Sequence, residues 1–332
     1  MGNRPQIDWA ILFILGGLLL TMGCGGSGGG DGLGYEGNRE AAALSGDNAQ
    51  VLAVSAYDSQ TLEGPFGSVA SLTDSTDPVP GAPKGRPTLL SVAQALTSAV
   101  HAARRGEGGA TTSARALEED DLTINGSCGG EASFSIDIDN ASGVFAGEFD
   151  FNEYCHDGTA LQGHASFQGR VDPETDQLDY FSFSFSNLIG TADGQRFRLD
   201  GDLTLRVDAA NDQTRLTMDL LLENSVAGET LWLHDFTLSV TDGVDQDGPY
   251  EAIAFSGRIY HPVHGYVDVH TDVAFRIEEG EESPSEGVLT LTGADDASVT
   301  MTALPDSQYQ LEADLDGDGD YDWGPETYSW DG

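Results

Sequence analysis

Cations are what this chain most lacks. Against 56 acidic residues it has 14 basic ones, Lys84 is its one lysine, and the formal net charge is −42. Such a field repels phosphate backbones and anionic lipid headgroups, which argues against nucleic acid as a partner. It favours cations and a strongly hydrated surface, a balance also suited to proteins that work in high salt. Cysteine is nearly as scarce. The chain has three in 332 residues, with no Cys-x-x-Cys and no paired Cys-His spacing, so a zinc or redox centre built on them is not expected. A membrane-spanning helix needs about 20 apolar residues, and the apolar stretch Trp9–Met22 has only 14. Nucleophile signatures are missing too. The GxSxG spacing of Gly25, Ser27 and Gly29 lies in a Gly/Ser tract where no strand-turn-helix elbow can form. No phosphate-binding glycine loop precedes a helical pattern. Carboxylate pairs are so common that none can be chosen as acid and base for glycosidase chemistry.

What is present starts with an export signal. Residues 1–23 join Arg4 and the terminal amine to the apolar run and end on the small residue Gly23. The segment Leu20-Thr21-Met22-Gly23-Cys24 resembles the lipobox of Gram-negative lipoproteins, although its leucine stands one place early, Met22 is larger than usual and Asp8 puts a charge beside the run. The resemblance implies cleavage before Cys24, lipid on Cys24 and a membrane partner reached through that lipid. Gly25 in place of aspartate implies the outer membrane. Residues 25–30 are all glycine or serine, a loose spacer of the kind a lipid-hung domain needs, and we place the spacer at 24–36. The alternatives are an ordinary cleaved signal with a chance cysteine, or a membrane anchor.

Cys128 and Cys155 remain, in a compartment that permits disulfides. They flank a stretch of alternating residues, so a bridge across neighbouring strands is expected; the alternative is two buried thiols.

Residues 37–117 read as a helical, partly disordered stalk. Asp47 or Asn48 can cap a helix over AQVLAVSAY. A second helix follows Pro87, with Leu89, Val92, Leu96 and Val100 on one stripe, Arg104 and Arg105 in its last turn and Gly106 to end it; 106–117 reads as linker. From Asp121 the period becomes two. YFSFSFSNL is the clearest case, with Phe181, Phe183 and Phe185 on one side and Ser182, Ser184 and Ser186 on the other. About twelve such strands follow in succession, separated by turn signals such as Asp172-Pro173, Asp193-Gly194, Asn211-Asp212 and Asp242-Gly243. Short connections force antiparallel neighbours. The expected fold is mainly β: an antiparallel meander over 118–332, as a bent sheet, a sandwich or a barrel-like closure. Charges inside many strands argue against a membrane-spanning barrel.

Two clusters carry candidate chemistry. In DLDGDGDYDWGPE, Asp314, Asp316, Asp318, Asp320 and Asp322 alternate around Gly317 and Gly319. Hard cations take six to eight oxygens, and carboxylates on a glycine-bent loop supply them. The pattern resembles the calcium loops of EF-hand and dockerin type, which implies calcium as the cofactor, but the twelfth position is Pro325 and Glu326 lies one place late. The competing reading is a bare hairpin. In YHPVHGYVDVHTD, His261, His264, Asp268 and His270 fall within ten residues and offer a transition-metal set; the competing reading is an exposed hairpin with scattered histidines. Of the tryptophans beyond the signal, Trp232, Trp323 and Trp330, the first shares strand parity with Phe236, Leu238 and Val240, which predicts core packing.

The order of parts resembles a group of uncharacterised Gram-negative lipoproteins. The cues are Cys128-Gly129-Gly130, Tyr154-Cys155, GRIYHPVHGYVDV and the terminal acidic loop. The resemblance implies no activity; it supports the disulfide and a single β body. The expected role is a lipid-anchored envelope module that binds or supports, stabilised by calcium, with a cell-surface or polymer ligand. The alternatives are a hydrolase acting on polysaccharide and a carrier holding lipid in an apolar concavity.

Overall fold

The structure, a computed structural model, describes residues 33–58, 122–125, 128–139, 141–156, 159–172, 178–192, 195–208, 211, 213–224, 229–246, 248–281 and 283–330. The signal segment, Cys24, most of the spacer, the helical pattern after Pro87 and the 106–117 linker lie outside them.

Among the described residues, period-two alternation produces fourteen strands. They are β1 (Leu122–Asn125), β2 (Gly129–Asp139), β3 (Val144–His156), β4 (Thr159–Val171), β5 (Leu178–Ala192), β6 (Gln195–Asp208) and β7 (Gln213–Asn224). The series continues with β8 (Glu229–Val244), β9 (Pro249–His261), β10 (Gly265–Glu278), β11 (Glu286–Thr292), β12 (Ser298–Leu304), β13 (Gln308–Asp314) and β14 (Trp323–Ser329). Each pairs antiparallel with the next, so spatial order repeats chain order in one sheet. Among the described residues β1 pairs only with β2 and β14 only with β13, which leaves the sheet bent but unclosed. The two strands beyond the expected dozen are these edges. β1 has only four residues, and β14 contains Pro325, which suits an edge because proline cannot donate to a ladder. Asp242-Gly243 proves to lie inside β8; the chain reverses later, where the Asp245 N–H donates to Gly248 O (3.0 Å).

One face of the sheet is the core. Phe145, Phe181, Phe183, Phe197, Leu216, Phe236, Phe275 and Leu311 are enclosed in a single cluster that runs from β3 to β13. The disulfide expected from the sequence is present: Cys128 and Cys155, with Cα atoms 5.1 Å apart, tie the start of β2 to the end of β3.

The sheet bends along a row of bulges. Register shifts fall beside Glu153 in β3, Asn187 in β5 and Asp235 in β8, all at positive φ. A bulge inserts one residue into a strand and sharpens its local twist. Glycines stand opposite. A Cβ on Gly257 (φ 135°) would meet Phe236 Cα and Asp235 O, and one on Gly201 (φ 118°) would run into Asp219 O. The extra residue also changes which side chains face inward. In β8 the buried positions are Leu231 and Leu233 before Asp235, then Phe236, Leu238 and Val240 after it. Trp232 therefore lies on the outer face, against the core packing that its parity predicts.

The described part of the expected stalk, 37–58, packs onto the β body. Helix α1 (Ala49–Asp58) buries Ala49, Leu52, Ala53, Ala56 and Tyr57, a stripe at helical spacing, against the same core cluster. Fully burying a side chain such as Leu52 contributes about 1.5–3 kcal/mol, which favours docking over a free helix. The cap differs from the expected one. Ser45 O accepts from Ala49 N–H (2.9 Å), and Asn48 Oδ1 reaches back to accept from Ser45 N–H (2.9 Å), so Asn48 is the return half of a capping box. Before the helix, residues 33–44 form a strap. Asn38 N–H donates to Pro262 O, Ala41 makes a parallel bridge with Tyr266, and Ala42 pairs with Tyr266 and Ala294.

Candidate functional site

The acidic repeat is the loop of the β13–β14 hairpin, closed where the Asp322 N–H donates to Ala313 O (2.9 Å). Asp314 is buried at its base, and its carboxylate accepts from the N–H groups of Gly317 and Gly319, each at 2.8 Å. Asp322 Oδ2 accepts from Leu315 N–H (3.0 Å). These bonds curl the loop so that Asp314, Asp316 and Asp322 each bring a carboxylate oxygen within 4.8 Å of the others. Asp318 and Asp320 do not join this set; Asp318 Oδ1 turns back to accept from Asp320 N–H (2.9 Å). The Asp316 pKa is raised, first by the charge of Asp318 and then by that of Asp322. Gly317 abuts a 3-10 turn (Ala294–Asp296), so that a Cβ there would meet the Asp295 carbonyl. Three carboxylates are hard oxygen donors and fit calcium by type.

The histidine constellation does not assemble. His261 is buried, its Nδ1 accepts from the N–H groups of Val263 (3.2 Å) and His264 (3.3 Å), and its ring lies 4.7 Å from that of His264. Burial, with the neighbouring His264 charge second, lowers its pKa to about 4. Asp268 is clamped by Arg258, with Nε to Oδ1 at 2.7 Å and Nη2 to Oδ2 at 2.9 Å. His270 points outward beside Asp272, with Nε2 and Oδ1 4.0 Å apart. The turn that supplies His261 and His264 faces the strap, whereas Asp268 and His270 face solvent.

A third site escapes the sequence. It forms on the outer face at the bend, where the strap crosses β6, β7 and β8. The Leu33 and Asn187 N–H groups both donate to Asp200 Oδ2 at 3.1 Å, which pins the strap to the bulge. Tyr35 then packs against the pair formed by Trp232 (5.8 Å) and Tyr260 (5.6 Å), and its hydroxyl donates to Asn38 O (3.0 Å). Burial pushes its phenol up to about 12, so it stays neutral. Trp232 stacks on Tyr260 at 4.4 Å, and its Nε1–H donates to Asp219 Oδ1 (2.8 Å). His234 Nδ1 lies 2.8 Å from Asp219 Oδ2. The arrangement lines a shallow, open cleft of about 180 Å³, bounded by Tyr35, Arg39, Asp200, Gly201, Asp219, Leu221 and Trp232. Asp219, His234 and Asp235 also offer ligand atoms within 4.8 Å of one another, but the shortest of those contacts is the His234–Asp219 hydrogen bond. The one legible clue was Gly201 inside a strand, which marks a close approach of another backbone.

Trp323 and Trp330 pack elsewhere, against the core cluster; Trp330 lies 4.4 Å from Tyr57 and 4.5 Å from Tyr309. The three tryptophans therefore do not form one exposed patch.

No protein-family model, curated protein or solved structure matches this chain.

Proposed function

We propose that this protein is a non-catalytic binding module of the bacterial cell envelope, held at the outer membrane by lipid on Cys24 and stabilised by calcium at the β13–β14 loop. The observation that carries the binding reading is the outer-face cleft. It gathers aromatic rings, a guanidinium and two carboxylates, and both carboxylates are already hydrogen-bonded by protein groups. Those bonds fix the two carboxylates as parts of a binding wall. The lining also includes no serine, threonine, cysteine or lysine.

The calcium component rests on the convergence of Asp314, Asp316 and Asp322, whose mutual repulsion a divalent cation relieves. Scanning calorimetry tests it: the midpoint rises with micromolar to millimolar calcium, and an unchanged midpoint overturns it. Mass spectrometry of membrane-extracted protein tests the anchor: the N-terminal peptide begins at Cys24 and carries lipid, and an unmodified Cys24 overturns it.

A polysaccharide hydrolase is the second reading, favoured by two carboxylates and two aromatic rings in one cleft. Release of reducing ends that Asp200→Asn and Asp219→Asn both abolish would establish it. Lipid carriage has less support, because side chains on the apolar face such as Phe181, Leu216 and Phe236 are fully enclosed by their neighbours.

A further inference from the structure

The geometry points to a more specific role for the outer-face cleft: we infer that it binds a single neutral sugar ring. The inference deepens the binding-module reading and rests on it.

Size sets the first limit. At about 180 Å³ the cleft falls below the roughly 300–1,000 Å³ of sites for drug-sized ligands, so the occupant is one ring or a group of similar bulk. Charge sets the second. An anion meets two carboxylates on a chain of net charge −42. A cation would be drawn to the carboxylates and the rings, but the Arg39 guanidinium, 5.8 Å from the Tyr35 ring and 5.9 Å from that of Trp232, is the cation already in place there and repels a second. A wholly apolar ligand would desolvate Asp200, Asp219 and Arg39 without bonding them. What satisfies all the lining groups is a neutral, hydroxyl-rich molecule with one apolar face. Its C–H face packs on the part of the half-buried Trp232 ring that the Tyr260 stack leaves exposed, while the buried Tyr35 shapes the wall beside it. Its hydroxyls donate to the carboxylates, which keep unused lone pairs beyond their protein bonds, and accept from Arg39.

The cleft is also built in advance. Trp232 is fixed by the Tyr260 stack and the Asp219 bond, and Asp219 is held at both oxygens. Tyr35 is anchored through its hydroxyl, and its carbonyl accepts from Arg39 Nη2 (2.9 Å). Little side-chain freedom remains to be lost on binding. Tyr35 and Arg39 come from the strap while the other walls come from the sheet, so the docked strap completes the site.

The test is a titration of the purified chain with glucose, galactose, mannose and N-acetylglucosamine, with choline and acetate as cationic and anionic probes. Binding is read by tryptophan fluorescence and by ligand-observed saturation-transfer NMR. At least one sugar should bind saturably in the millimolar range, and Trp232→Ala and Arg39→Ala should each weaken it tenfold or more. Leu221→Trp, which fills the cleft and leaves its hydrogen bonds intact, should do the same with the circular dichroism unchanged. Saturable choline or acetate binding that Leu221→Trp abolishes, without sugar binding, overturns the sugar assignment and leaves the cleft a binding site. Sugar binding that Leu221→Trp leaves intact overturns the location. Silence from every probe overturns the inference and removes the observation behind the binding-module reading as well. The calcium loop shares no residue with the cleft, so its titration stands apart from all of these outcomes.

Discussion

Replacing Gly201 by alanine tests the bend that builds the cleft. Gly201 sits at φ 118° with its Cα turned toward β7, and a Cβ there would meet Asp219 O, with Leu220 Cα 3.1 Å away. Two costs add. Holding an L-residue at positive φ costs about 1–2 kcal/mol. Moving the β7 backbone away from the new methyl costs about 1–3 kcal/mol more, the usual range for overpacking. The sum centres on about 3.5 kcal/mol, a fall in Tm of about 7–14 °C for a body of this size. Gly280 is the internal control. It also has positive φ (89°), but a Cβ there meets nothing within 4 Å, so Gly280→Ala carries only the conformational cost. Urea unfolding followed by far-UV circular dichroism measures both. Gly201→Ala should lose at least about 1 kcal/mol more than Gly280→Ala. Equal losses would refute the close approach of β6 and β7 at this point.

Three further outcomes follow from the same geometry. The buried His261 has its pKa lowered to about 4, against 6.5 when unfolded, so the unfolded chain binds the proton first and stability falls as pH drops from about 6.5 toward 4. The full shift corresponds to about 3 kcal/mol, and water near the half-exposed His264 reduces the expected loss to about 2; His261→Gln should flatten that part of the urea-midpoint pH profile, and an unchanged slope contradicts the burial. Breaking the Cys128–Cys155 bridge, which closes a separation of 27 residues, with Cys128→Ser/Cys155→Ser should cost about 3.5 kcal/mol of unfolding free energy; a loss below about 1 kcal/mol contradicts a constraint on the unfolded chain. The raised Asp316 pKa runs in the opposite direction to that of His261: the ionised loop is the less stable form, so calcium-free stability from this group declines as pH rises past 3.8 and through the folded value. Asp316→Asn should accordingly raise the calcium-free midpoint and remove the rise produced by calcium, and a lower calcium-free midpoint contradicts the repulsion.

The β body was legible because alternation and short turns act locally. Phe181, Phe183 and Phe185 declare their face within five residues, and the order of strands follows from connections too short for a crossover. The acidic loop was legible for the same reason, since its carboxylates are neighbours in sequence. Bulges broke the local rule. One inserted residue at Asp235 reverses the parity of everything before it, so Trp232, which reads as core, faces out. The strap was hidden for a different reason: Leu33 meets Asp200 across 167 positions, and nothing in a short aperiodic stretch announces so distant a partner. The cleft combines both effects, because its residues come from the strap and three strands and converge only once the sheet has bent. The histidine set failed because nearness in sequence does not bring four side chains to one point when two sit at a turn against the strap and two on the solvent face of a strand.

The most direct test of the outward-facing Trp232 is a nuclear Overhauser spectrum of the folded chain. Cross-peaks from the Trp232 indole to the Tyr260 and Tyr35 rings are predicted, from the stack at 4.4 Å and the contact at 5.8 Å. Cross-peaks from that indole to Phe236 or Leu238 in the core would place it on the inner face, and neither the bend nor the cleft would survive.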